Sequence, residues 1–236
     1  MPTLTTATRI VVVCLPAGAL VDWYTVCEAV DHHLATTGVA VHRFPVRHRR
    51  LTGLVTRWSS RHLLHPWRRF GAVAYAAGGP VGRLDLTRVV AQTSAAASAR
   101  WRAWQHQVAR TTPSARPWED FLAQHHANPD KVSLAEATRR FEAQPRVLTM
   151  LSLLAHPNAP YLFDPAELAA YQAGQAAYVC LHWRTAIAGD ALVTADGQLL
   201  RPQGPTLADR LRYLQQAATY IHRLRRRQRM CALAVD

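Results

Sequence analysis

Lysine is almost missing from this 236-residue chain: of 28 basic residues only Lys131 is lysine, and the other 27 are arginine. Asparagine (Asn128, Asn158) and isoleucine (Ile10, Ile187, Ile221) are scarce as well. That bias matches a high-GC genome, which exchanges lysine for arginine. It does not by itself create a formal net charge of +13, and an excess of that size points to a polyanionic partner. No apolar run approaches the roughly 18 residues of a membrane span. The amino terminus has no apolar stretch of signal-peptide length before the first strand. The expectation is a cytoplasmic protein with no membrane partner.

Other absences narrow the chemistry. Cys14, Cys27, Cys180 and Cys231 stand far apart with no Cys-x-x-Cys pair, so they read as small buried hydrophobes. No His-x-x-x-His or His-Glu-x-x-His pattern exists, which predicts no metal site. Asp31-His32-His33 spells a metal phosphoesterase signature, but it falls on a predicted helix without companion motifs. Gly-x-Ser-x-Gly is missing too. No cofactor is indicated.

What is present begins with a strand. Residues 9–15 form a continuous β-branched run, as in a strand covered on both faces. Pro16-Ala-Gly18 breaks it, and Trp23, Val26, Cys27, Val30 and Leu34 then make one helical stripe ended by Gly38. Val39–Phe44 is a second strand, so the chain opens β-α-β and predicts a parallel sheet with a right-handed crossover. Residues 45–69 read as a loop and one short helix. Phe70–Gly82 reads as a short buried strand, Gly71 to Ala76, running into a glycine loop, followed by a long helix over 86–110. Pro113-Ser-Ala-Arg-Pro117 is the best internal boundary. It separates a basic α/β region (1–112) from a mostly helical region (118–236) with a hairpin and a basic C-terminal cluster, as two domains or one integrated domain.

In the second half, Ser133-Leu-Ala-Glu136 is a capping box, and Asp164-Pro165 starts a helix to about residue 188. Tyr171, Tyr178, His182 and Trp183 fall near one face of that helix. Asp196-Gly197 centres a hairpin. Thr206-Leu-Ala-Asp209 caps a last helix whose stripe runs from Leu207 to Leu224, and Met230–Val235 suits a final strand. The predicted fold is α/β: a small, mainly parallel, Rossmann-like sheet with a predominantly helical C-terminal half.

The stretch from His32 to Trp118 carries fourteen arginines and one acid, Asp85. Gly78, Gly79 and Gly82 would let the backbone approach a ligand closely, and a helix N-terminus just beyond would favour an anion. Gly18 is expected at the same strand-end edge. Arg83 would pair with phosphate, and Asp85 or Asp22 would be the acid or base. Gly-Gly-Pro-Val-Gly is, however, neither a dinucleotide fingerprint nor a P-loop. Arg47, Arg49, Arg50, Arg57, Arg61, Arg68 and Arg69 alternate with Trp58 and Trp67, offering phosphate contacts and stacking platforms; Arg225, Arg226 and Arg227 add a second cluster. The leading expectation is a nucleic-acid- or nucleotide-directed protein, of the transferase or modifying-enzyme type, binding phosphate at the glycine loop. Two others stand beside it: a Rossmann-like enzyme acting on a small phosphorylated metabolite, and a non-catalytic DNA- or RNA-binding accessory protein.

Overall fold

A computed structural model of the chain describes residues 9–18, 23–34, 38–47, 62–70, 72–154 and 164–235. These contain eight strands in one sheet: β1 (Arg9–Leu15), β2 (Gly38–Ala40), β3 (Phe44–Pro45), β4 (Leu64–Arg69), β5 (Ala72–Pro80), β6 (Ala191–Val193), β7 (Leu199–Leu200) and β8 (Arg229–Val235). The helices are α1 (Trp23–Leu34), α2 (Leu86–Trp104), α3 (Trp118–Ala127), α4 (Leu134–Glu142), α5 (Pro145–Leu154), α6 (Pro165–Ala173), α7 (Gln175–Ala188) and α8 (Leu207–Arg223).

The sheet order is β3-β5-β8-β1-β6-β7, with β2 also paired to β8 and β4 to β5. Only β1 and β6 run parallel; every other pair is antiparallel. The sheet is therefore mixed α/β and mostly antiparallel, not the mainly parallel Rossmann-like sheet expected from the sequence. The cause is the C-terminal strand. In a parallel β-α-β unit the second strand would lie alongside β1, but β8 takes that place along its whole length, from Arg9↔Val235 to Leu15↔Arg229. β2 is left to pair with the other edge of β8. An apolar run such as Met230–Val235 suits any covered strand, so its sequence carries no sign of direction or position.

The chain divides into two compact units. One comprises Met1–Thr93, Trp183–Gln203 and Arg212–Asp236; the other comprises Ser94–His182 and Gly204–Leu211. The first holds the sheet. Its core gathers Val11, Val13 and Leu15 of β1 with Val26 of α1, Ala191 and Val193 of β6, and Cys231, Leu233 and Val235 of β8. On the strand positions that alternate with these, Val12, Cys14, Met230 and Ala232 are fully buried too. Burial on both faces explains why β1 reads as unbroken apolar residues. Arg43 donates to the carbonyls of Thr185 and Ala186 and so caps the C-terminal turn of α7. Burial lowers its pKa, though Asp190 and Tyr213 oppose that.

The second unit is helical. Ser133 Oγ accepts from the Glu136 N–H at the start of α4, and Asp164 accepts from the Ala166 N–H ahead of Pro165 in α6. Both are the caps expected from the sequence. The single helix expected over 164–188 is instead two, because Gly174 adopts φ +115° and ends α6. Trp104 meets Tyr171 and Tyr178 edge-on, at 5.4 and 5.5 Å between ring centroids. Among the described residues no helix is long and apolar enough to cross a membrane.

Candidate functional site

Strand direction decides where the basic residues meet. β1 and β5 both pair antiparallel with β8, so they run the same way and end at the same edge. Register makes this explicit, since Leu15 and Pro80 both sit opposite Arg229. The chain leaving β1 at Pro16–Gly18, the chain leaving β5 at Val81–Arg83 and the chain entering β8 at Arg225–Gln228 therefore share one end of the sheet. The expectation that Gly18 lies on that edge rests on strand direction alone and survives the change of topology.

Three arginine-bearing segments are held together there by backbone hydrogen bonds. The Val81 N–H donates to Gln228 O (2.9 Å) and the Gly82 N–H to Arg226 O (3.0 Å). The Arg47 N–H donates to Arg83 O (2.8 Å) and the Asp85 N–H to Pro45 O (2.7 Å). Arg47 Nε adds a bond to Leu84 O (3.2 Å). Gln228 Oε1 accepts from the Arg225 N–H (2.7 Å) and shapes the turn into β8. Segments 45–47, 81–85 and 225–229 thus bring Arg47, Arg83, Arg225, Arg226, Arg227 and Arg229 to one rim. Their only acid is Asp85, whose Oδ1 accepts from the Arg88 N–H at the start of α2 (3.1 Å). Arg47 and Arg225–Arg227 are exposed. Arg229 reaches back toward the core, where its Nε is buried without a hydrogen-bond partner. Its charge lowers the Cys231 thiol, against burial that pushes it up to about 12. Asp196, in the β6–β7 turn, is an acid on a neighbouring strand end.

Gly78 and Gly79 lie in strand β5, opposite Cys231 and Met230, rather than in the expected loop, and Gly82 lies in the turn that follows it. A Cβ on Gly78 would sit 2.4 Å from Cys231 Sγ and 2.5 Å from Met230 O. One on Gly79, at φ +155°, would sit 2.7 Å from Leu63 Cδ2. Gly82 packs on Arg226, whose Cβ is 3.0 Å from where its own would be. The amides of Val81, Gly82, Leu84 and Asp85 all donate to backbone carbonyls. Gly78 and Gly79 let strands approach closely, and Gly82 lets the turn after β5 approach Arg226. Gly18 has nothing within 4 Å of its Cβ position.

Arg68, Arg69 and Trp67 lie in β4, in a segment expected to be loop and helix, and reach the far end of β5: Arg69 pairs with Ala72, whereas the rim follows Pro80. All three are exposed, and Trp67 packs against Tyr75 at 6.0 Å between ring centroids. Between Arg69 and β5 comes Phe70, expected at the edge of a buried strand but 95% exposed. Asp22, Arg49, Arg50, Arg57, Trp58 and Arg61 lie outside the described residues.

The Tyr/His face of the second unit converges on Glu167, a carboxylate only 4% exposed. Tyr178 Oη donates to it at 2.7 Å, with His182 Nε2 at 3.3 Å and Arg100 Nη1 at 3.5 Å. Burial and the neighbouring carboxylate push the Tyr178 phenol up. Arg146, 7% exposed, ties this unit elsewhere through Thr112, Ser114 and Gln172. Each cluster surrounds a buried charge with polar partners, the usual condition for burying it.

No protein-family model, curated protein or solved structure matches the chain.

Proposed function

We propose that the chain binds the phosphate backbone of nucleic acid at the strand-end rim of Arg47, Arg83 and Arg225–Arg227. One observation carries the reading: four backbone hydrogen bonds fasten three segments remote in sequence so that five arginines, Arg47, Arg83 and Arg225–Arg227, meet with one acid, already engaged as a helix cap. Side chains that repel one another are held at one edge at an electrostatic cost, which a polyanion would offset. Arginine suits the task because its planar fork pairs bidentately with phosphate. A binding role draws more support than a transferase cradling phosphate at glycines, because the amides of Val81, Gly82, Leu84 and Asp85 are committed to carbonyls. Contacts of this kind position a protein on nucleic acid without reading sequence.

The test is binding to short single- and double-stranded DNA and RNA across a salt titration. The logarithm of affinity should fall linearly with the logarithm of salt, with a slope of about 0.9 per phosphate neutralised on duplex DNA and about 0.7 on single strands. Absence of binding to any of these at low salt would overturn the reading.

A further inference from the structure

The β4–β5 hairpin closes tightly, with Arg69 paired to Ala72 and Phe70 following Arg69 at its tip. Tight turns of this kind require a left-handed backbone, and asparagine, aspartate or glycine normally supply it. Here a phenylalanine does, at φ +50°. A bulky side chain in that region is strained, and its apolar ring gains nothing from the fold because it is 95% exposed. The Arg69 guanidinium lies 5.3 Å from the ring centroid, Arg68 is beside it, and half-exposed Trp67 follows one step down the strand. No acid occurs anywhere from His62 to Ala76. A β-bulge between Trp67 and Arg68 shifts the register just below the tip, a device that re-aims side chains.

We propose that this hairpin tip is a base-stacking site for single-stranded nucleic acid, with Phe70 as the stacking face and Arg68 and Arg69 on the flanking phosphates. The inference rests on the rim reading and adds to it the class of nucleic acid and a residue that meets the bases. An aromatic face between arginines is what unpaired bases bind, because every base has a π-face and every nucleotide a charge. Duplex bases are already stacked and offer no free face unless the helix is kinked. A membrane surface fits less well: interfacial binding grows with buried apolar area, and apart from the two rings the exposed residues of β4 are His65, Arg68 and Arg69. β5, nine residues long, separates tip from rim by roughly 26 Å, so one strand of several nucleotides would lie along the hairpin and meet both.

The deciding variant is Phe70→Asn, which removes the ring while suiting the left-handed backbone, so the hairpin keeps its turn. Wild type and variant are titrated with labelled oligo(dT), with heparin as a polyanion without bases, and with phosphatidylserine vesicles. The expected result is a loss of oligo(dT) affinity of roughly five- to 150-fold, with heparin affinity unchanged and the melting temperature equal or higher. Equal oligo(dT) affinity for the two proteins would overturn the stacking site while heparin binding left the rim standing. A Phe70-dependent loss confined to vesicles, or confined to duplex DNA, would overturn it in favour of membrane insertion or a duplex wedge. Failure of the wild type to bind heparin as well as oligo(dT) would remove the rim reading and this inference together.

Discussion

Cys14 and Cys231 face opposite sides of adjoining strands, and each is buried among apolar residues. Burial pushes the Cys231 thiol from 9.0 up to about 12. It raises Cys14 as well, with Cys231 adding to the effect. A folded pKa above the unfolded value means the native state keeps a proton the unfolded chain releases. The stabilisation is complete below about pH 9 and is lost as pH rises toward the folded pKa. Each thiol should cost about 1.4 kcal/mol per pH unit in that window. Denaturant melts should therefore weaken from about pH 9 upward, and less steeply for a Cys14→Ala/Cys231→Ala variant, since tyrosines contribute equally to both. Parallel pH curves for the two proteins would mean the thiols are accessible to water. The sequence reading of these cysteines as small hydrophobes needed only their apolar neighbours.

At the scale of elements, β5 and β8 show what local sequence can and cannot convey. Strand β1, the helix caps at Ser133 and Asp164 and the hairpin around Asp196-Gly197 were legible because each has a signal within a few residues: unbroken β-branching, a side-chain acceptor ahead of an amide, a turn-forming Asp-Gly pair. The partner of a strand has no such signal. Gly78, Gly79 and Gly82 looked like a ligand loop because glycine serves two purposes, a sharp turn or close approach, and only the position of β8 tells them apart. Gly78→Ala should thus cost more than about 2 kcal/mol, typical of overpacking against backbone, whereas Gly18→Ala should fall within about 0.5 kcal/mol of wild type. Urea melts of the two variants check this; a harmless Gly78→Ala would show that β5 and β8 are not in register as described. Phe70 escaped notice for a related reason: Phe-Gly is not a recognised hairpin pair, and its role follows only from the pairing of β4 with β5.

For the whole molecule, the net charge of +13 was evident at once, but its distribution was not. Folding sends Arg43 to cap a helix, Arg146 into a buried hydrogen-bond network, and Arg139 and Arg140 onto Glu136. Among the other described arginines of the first unit, Arg47, Arg83 and Arg225–Arg227 stand at the strand-end rim and Arg68 and Arg69 at the hairpin tip, while Arg9, Arg88, Arg201 and Arg223 are also exposed. The most direct test of that account neutralises Arg225, Arg226 and Arg227 together to glutamine, on an exposed turn whose backbone bonds the substitution leaves in place. If the rim tracks phosphates, the slope of log affinity against log salt on duplex DNA should shrink by up to about 2.7, or about 0.9 per arginine, with the melting temperature unchanged. A slope identical to wild type would show that these arginines touch no phosphate, and the central claim would fail.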